Sequence, residues 1–196
     1  VGGRRADRGR RARSLPATVY RPTRIAGHSR TGACQRGEYL WLLLKGCVQA
    51  QAAPAGVDAA FDLVPVDYVS DAIVTLSRQP AAAGRTFHLA AGRLLRLDTA
   101  LGWLRSRGYA LPEVDPGEWL DRIGADAGNA AFPLLGTLAA ELTGAGSEGG
   151  LVFDPSATDA ALAGSGVSRP EVDEALFGAC VGYFIRTGWL PETVER

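Results

Sequence analysis

The stretch from Thr18 to Gly32, Thr-Val-Tyr-Arg-Pro-Thr-Arg-Ile-Ala-Gly-His-Ser-Arg-Thr-Gly, narrows the possible folds more than any other part of the chain. Thr18, Val19 and Tyr20 are β-branched or aromatic and suit a strand. Pro22 then removes a backbone donor, so the ladder is expected to stop about there. A polar loop carrying Arg24, His28, Ser29, Arg30 and Thr31 follows. In open α/β sheets ligands bind just beyond the carboxyl ends of the strands, and a strand delivering its chain into such a loop is placed where binding happens.

The pattern that follows fits this frame. Leu40, Leu43, Leu44, Cys47 and Val48 recur at helical spacing over Glu38 to Ala50, with Gly46 weakening that helix by about 1 kcal/mol relative to alanine. Ala52 to Gly56 reads as a loop and Phe61 to Val66 as a short buried strand interrupted by Pro65. Asp67 is placed to cap a helix with Val69, Ala72, Ile73 and Leu76 inward, ending before Pro80. Arg85 to Ala90 alternates Phe87 and Leu89 against Thr86 and His88, as a strand does.

Helices dominate later. Leu97 to Arg107 carries the stripe Leu97, Leu101 and Leu104, with Asp98 in its first turn. Pro116 to Ile123, Phe132 to Leu142 and Ser156 to Ala163 also read as helical, and Leu151 to Phe153 as briefly extended. Arg169 to Thr187 is expected to be a helix with Pro170 in its first turn and Val172, Leu176, Ala179, Cys180 and Tyr183 on one face. This order predicts an α/β fold: the last strands of a doubly wound sheet, then a mainly helical subdomain. The expected division is a basic flexible arm over 1–14, sheet elements over 15–92 and helices over 93–196.

Composition excludes several classes. Formal charge is zero, with nothing in the balance asking for nucleic acid, and no apolar run is long enough to span a membrane. The six arginines before residue 14 stand in a segment without apolar periodicity, expected to be frayed. Cys34, Cys47 and Cys180 fit neither a disulfide framework nor a zinc site, which points to a reducing cytoplasm and to no metal. The chain has no methionine and begins with Val1, so it reads as part of a longer product.

Gly144-Ala-Gly-Ser-Glu-Gly149 matches the dinucleotide pattern G-x-G-x-x-G in letters only. That pattern needs a strand before the glycines and a helix amino end after them, whereas here a helix precedes and an extended piece follows, so a linker is expected. Short-chain reductases use a tyrosine acid with a lysine four residues later, and no tyrosine here is followed at that distance by Lys45, the single lysine. His28 is placed for a substrate contact and His88 for a hydrogen-bonded structural role. No nucleophile, histidine and acid are arranged for hydrolysis.

Four motifs in order carry a resemblance: Tyr20 to Gly32, Leu44-Lys-Gly-Cys-Val48, Asp62-Leu-Val-Pro-Val-Asp-Tyr-Val69 and Gly84-Arg-Thr-Phe-His-Leu-Ala90. With Leu151-Val-Phe-Asp154 and Tyr183 to Pro191, they resemble the second half of the thioester reductase domains that end nonribosomal peptide and polyketide assembly lines. Those domains are extended short-chain dehydrogenase/reductases with a Rossmann-like sheet. The resemblance implies that the full enzyme uses NADPH to release an acyl or peptidyl thioester, held on the phosphopantetheine arm of a carrier protein, as an aldehyde. This chain would supply substrate recognition, be inactive alone and not bind NADPH by itself. Its further partner would be the missing amino-terminal half.

By the same resemblance, Pro22, Thr23 and Ile25 would line the nicotinamide end of the cofactor pocket, and Ser29 and Arg30 would face the substrate entrance, next to the His28 already placed for a substrate contact. No catalytic residue is assigned within the chain. Val64, Pro65, Val66 and Asp67 would pack beneath the site. The family often has glycine at the position of Thr23, and Asn-x-x-Asp in place of Gln35-Arg-Gly-Glu38. Alternatives of other classes are a non-catalytic module that binds acyl chains or a carrier protein, and another extended reductase such as a sugar epimerase or dehydratase.

Overall fold

The computed structural model describes residues 17–142 and 153–193, with the side chains of 141 and 142 left aside. The expected arm over 1–14, the glycine segment 144–149 and all but Phe153 of the extended piece at 151–153 lie outside the described residues.

Strand β1 (Val19–Pro22) ends where Pro22 was expected to end it, and the chain then resumes as β2 (Arg24–Ala26) after a single residue. The two strands have different partners. β1 runs parallel to β6 (Thr86–Leu89), with Val19 opposite Thr86 and Pro22 opposite Leu89; β2 runs parallel to β5 (Leu63–Pro65), with Arg24 opposite Leu63. The switch falls on Thr23, whose amide donates to the Leu89 carbonyl while the next amide, that of Arg24, donates to the Asp62 carbonyl. The expected strand over Phe61 to Val66 is accordingly divided at Asp62 into β4 (Ala60–Phe61) and β5.

Helix α1 (Tyr39–Ala50) starts where the Glu38 carboxylate accepts the Leu40 amide at 2.8 Å and ends at Gln51 in the left-handed region, φ 50°. Leu40, Trp41, Leu43, Leu44 and Cys47 are buried. Gly46 is more than a weak helix former here. A Cβ on it would collide with the Cβ of Ala131, and its carbonyl accepts the side-chain Nδ2 of Asn129 at 3.2 Å, so the glycine lets the segment around Asn129 close onto α1.

Helix α2 (Val66–Ser77) departs from expectation at its start. Pro65 occupies the cap position without a side-chain bond, and Asp67 lies inside the first turn with its carboxylate turned to Ser29 instead. Its inner face is Tyr68, Val69, Ala72 and Leu76, with Ile73 half-buried. The segment 52–56, expected to be a loop, contains β3 (Ala53–Pro54), parallel to β8 (Glu113–Val114). β4 is antiparallel to β7 (Leu95–Arg96).

Helices α3 (Leu97–Ser106), α4 (Pro116–Gly124), α5 (Leu135–Leu142, after a tight turn at Phe132–Leu134) and α6 (Ser156–Leu162) fall close to the expected ranges. The last helix, α7 (Glu174–Arg186), does not: it begins after Pro170, not with it. The Arg169 guanidinium is engaged by the Ala90 carbonyl and the Asp159 carboxylate, both at 3.0 Å, and the chain is free to coil only once Asp173 caps the helix by accepting the Leu176 amide. Its buried face is Leu176, Phe177, Cys180, Val181 and Phe184, turned from the expected stripe because Val172 precedes the helix and Ala179 and Tyr183 are only half-buried.

Two apolar clusters result, and they interleave along the chain. One joins α1 to α3, α4 and α7 around Trp41, Trp119, Phe177 and Phe184, with Trp41 5.4 Å from Phe177 and 5.2 Å from Phe184 between ring centres. The other holds α2 and α6 against β5 and β6 through Val64, Leu76, Phe87, Leu89 and Leu162.

Candidate functional site

The site is built where the parallel strands end. Thr23 follows β1 and Ala90 and Ala91 follow β6, so both chains emerge side by side at their carboxyl ends. Asp62, arriving between β4 and β5, ties them together. One of its carboxylate oxygens accepts the Thr23 hydroxyl and the Ala91 amide, each at 2.7 Å. Thr23 is therefore fixed through its backbone by Leu89 and through its side chain by Asp62. Pro22 and Ile25 flank it and are exposed, offering apolar surface on this edge.

Beyond β2 the chain turns back, with the Gly32 amide donating to the His28 carbonyl at 2.8 Å and the His28 amide to the Ala33 carbonyl at 2.9 Å. Two elements hold this turn. From below, Asp67 accepts the Ser29 amide at 2.9 Å and the Ser29 hydroxyl at 2.5 Å. From the side lies α7: Gly32, at φ 70°, rests against Ala179, and the Arg186 guanidinium donates to the Thr31 carbonyl at 3.3 Å. Partial burial pushes the Asp67 carboxyl up, but the two Ser29 bonds, its own amide and nearby His28 outweigh it and leave the group below the usual aspartate value.

The three residues expected to meet substrate are thus brought together but are not equivalent. His28 Nδ1 accepts the Arg30 amide at 3.2 Å and lies 4.0 Å from the Asp67 carboxylate. Ser29 gives its proton to Asp67 and keeps only oxygen lone pairs for a ligand. Arg30 is exposed, and its guanidinium has no partner among the described residues. Behind the turn, the Cys34 thiol hydrogen-bonds to Cys180 of α7 and is pushed up by that bond and by burial. Cys180 is lowered by the same bond, against burial, with help from the Gly27 amide.

His88 lies apart. Its ring stacks on Phe153 at 5.3 Å and its carbonyl accepts the Thr158 hydroxyl at 2.7 Å, a structural role as expected, while its buried Nδ1 has no hydrogen-bond partner among the described residues. A hollow of about 770 Å³ between Gln51, Ser106 to Leu111 and Pro191 to Thr193 is lined by none of these loop residues. Among the described residues no cluster of His, Cys, Asp and Glu could hold a metal ion, and no helix is long and apolar enough to cross a membrane.

Comparison with known proteins gives this geometry its relatives. Residues 6–73 match the Male sterility protein family. The chain is 32% identical over 189 residues to a linear gramicidin synthase of Brevibacillus parabrevis, an overlap that takes in 93% of this chain and 4% of that protein. The terminal R domain from the myxalamid PKS-NRPS biosynthetic pathway superposes with a TM-score of 0.76 at 39% identity, over 92% of this chain and 46% of that domain. The chain belongs to the terminal reductase family. A thiolation-reductase di-domain from an archaeal nonribosomal peptide synthetase adds support for the fold alone, with a TM-score of 0.69 at 21% identity over 90% of this chain and 37% of that one.

Superposition on these reductase domains over nine-tenths of the chain shows the expected fold, the α/β, Rossmann-like architecture of extended short-chain reductases. The chain spans under half the length of the myxalamid reductase domain. Sequence reasoning did not single out Asp62, nor the Ser29–Asp67 and Cys34–Cys180 contacts. Asp62 had one usable signal, an acid standing alone between apolar residues in a buried strand. The pairings of Ser29 with Asp67 and Cys34 with Cys180 join residues far apart in the chain and had none.

Proposed function

We propose that this chain is the substrate-side portion of an NADPH-dependent thioester reductase that releases acyl or peptidyl groups from a phosphopantetheinyl carrier protein as aldehydes. In this reading 15–92 closes the Rossmann-like sheet, 93–196 forms the substrate subdomain, 1–14 is a basic arm and the protein works in the cytoplasm. The observation that carries it is the turn at His28 to Gly32, clamped between Asp67 and α7, directly after a Thr23 that Asp62 fixes at the carboxyl edge of the parallel strands. Support for the chemistry comes from relatives that are named as reductase domains and peptide synthetases.

The residues at this edge fit one end of a nicotinamide cofactor. Pro22 and Ile25 present exposed apolar surface for a flat ring, and Thr23 lies between them with its hydroxyl turned to Asp62. When bound, the cofactor supplies hydride. His28, Ser29 and Arg30 orient the thioester beside it, Arg30 by charge and Ser29 through its oxygen. The chain's single lysine cannot serve as the partner of a catalytic tyrosine: Lys45 lies over the Trp189 ring, 4.5 Å from its centre. Catalysis therefore depends on the amino-terminal half of the reductase.

The test is Arg30→Ala in the full-length enzyme. If Arg30 binds the phosphopantetheine arm equally in ground and transition states, KM for a carrier-bound thioester rises more than kcat falls. An unchanged KM would overturn the assignment. The 196-residue chain alone is expected not to bind NADPH in a fluorescence titration, since a pyrophosphate needs a glycine turn and a helix amino end. Saturable micromolar binding would contradict this.

A further inference from the structure

The three cysteines of the chain have different surroundings. Cys47 is fully buried on α1, where loss of solvent pushes its thiol up to about 12, so it stays protonated and inert. Cys34 and Cys180 are brought together. Cys34, half-buried, follows the clamped turn, and Cys180 lies on the buried face of α7. They meet over Gly27: a Cβ on that glycine would lie 2.6 Å from Cys180 Sγ and 3.1 Å from Cys34 Cβ. Gly32 likewise lets the turn settle onto the backbone of Ala179 and Cys180. Two glycines therefore leave out the side chains that would hold the cysteines apart.

A buried free cysteine is ordinarily a small apolar residue, and that describes Cys47. The pair differs from it in three ways. Its thiols hydrogen-bond to each other, the Gly27 amide is directed at the Cys180 sulfur, and solvent reaches Cys34. The neighbouring S–H and the amide favour a thiolate at Cys180 against its burial, while the proton stays on Cys34. A thiolate in contact with a second, accessible thiol is the arrangement from which a disulfide forms with little movement of the backbone.

We propose that Cys34 and Cys180 are a site of reversible oxidation, at which a small peroxide converts the two thiols into a disulfide that ties the His28–Gly32 turn covalently to α7. One sulfur attacks a peroxide oxygen, the O–O bond breaks, one water leaves and a sulfenic acid remains. The other sulfur then attacks that sulfur, the S–O bond breaks and a second water leaves. Each sulfur gives up one electron, the two electrons reduce the peroxide, and the two thiol protons depart in the waters. A dithiol restores the pair by exchange. In a reducing compartment the bond is transient, as befits a response to oxidant and not a permanent staple. The pairing is independent of the reductase reading.

The full-length protein, treated with hydrogen peroxide while folded, alkylated and mapped by peptide mass spectrometry, provides the test. The Cys34 and Cys180 peptides should appear joined, dithiothreitol should return both as thiols, and Cys47 should remain unoxidised. Because the two residues are far apart in the chain, oxidation should also raise the melting temperature, reversibly. Cys34→Ser should abolish both the joined peptide and the rise. Should that variant fail to fold, the map and melting of the unaltered protein decide alone. A Cys34 that passes to sulfinic or sulfonic acid while Cys180 stays a thiol overturns the proposal. So does a pair that remains reduced at a peroxide concentration that oxidises free cysteine. A joined peptide without a rise in melting temperature would mean that the bond does not fit the folded joint, and would overturn it too.

Discussion

Gly32 rests against the middle of α7 with no room for a side chain: a Cβ on Gly32 would overlap the carbonyl of Ala179. The contact fixes the height of the turn carrying His28, Ser29 and Arg30 above the strand ends. It joins a loop near the start of the described chain to the last helix, so the site exists only once both are folded.

The first prediction follows from that contact. Gly32→Ala both places a Cβ at φ 70°, which costs about 1 to 2 kcal/mol, and forces the turn off α7. A loss of roughly 2 kcal/mol or more in denaturant unfolding is expected. Gly37→Ala, where a new Cβ would meet only the end of Gln35 at 3.6 Å, should change little. Equal effects of the two substitutions would show that the packing on Ala179 does not matter.

The second concerns pH. Asp67 titrates below the ordinary aspartate range in the folded protein, so folding favours its carboxylate form. Its contribution is full above the unfolded pKa, near about 4, and is lost as pH falls from there through the lower folded value. Stability measured from neutral pH down to about pH 3 should therefore fall more steeply for the unaltered protein than for Asp67→Asn. Parallel curves would remove Asp67 from the acid response.

What the sequence made legible here follows from how locally each feature is decided. The alternation of Phe87 and Leu89 and the stripe Leu97, Leu101 and Leu104 depend on near neighbours, and both appear as read. Strands of two residues, such as Ala53–Pro54 and Leu95–Arg96, are too short to have a period. Asp67 departs from its expected capping role because an acid at a strand-to-helix junction looks the same whether it caps its own helix or reaches across to Ser29. Pro170 and Asp173 are both sound helix-start signals, and the tie from Arg169 to Ala90 decides between them. The residues of the turn are legible as a group because they are consecutive. Asp62 is not, because its partners, Thr23 and Ala91, are 39 and 29 residues away.

The third prediction tests that tie. Thr23→Val removes the hydroxyl but keeps the shape, leaving the Asp62 carboxylate with the Ala91 amide; Asp62→Ala releases both donors. Single losses of about 1 and about 2 to 3 kcal/mol are expected, because a charged acceptor is worth more than a neutral one. In the double variant the losses should fall short of their sum by at least about 0.5 kcal/mol. Strict additivity would mean that Thr23 and Asp62 are not coupled, and that Thr23 is positioned by its backbone alone.

The last prediction concerns the sheet itself. β1 pairs with β6 and β2 with β5, and among the described residues no strand pairs with the second edge of β1 or β2. Val19 and Ile25 on these strands are 44% and 36% exposed, so apolar side chains accompany the open backbone donors and acceptors. A parallel sheet is ordinarily covered on both faces, and an unprotected apolar edge recruits other chains. The 196-residue chain alone is therefore expected to self-associate, and to become monodisperse when the amino-terminal half of the reductase is joined to it or added in trans. Light scattering on both preparations distinguishes the outcomes. A stable monomer that unfolds cooperatively by itself would mean that these edges are protected within the chain, and would favour a self-sufficient binding module over a portion of a reductase.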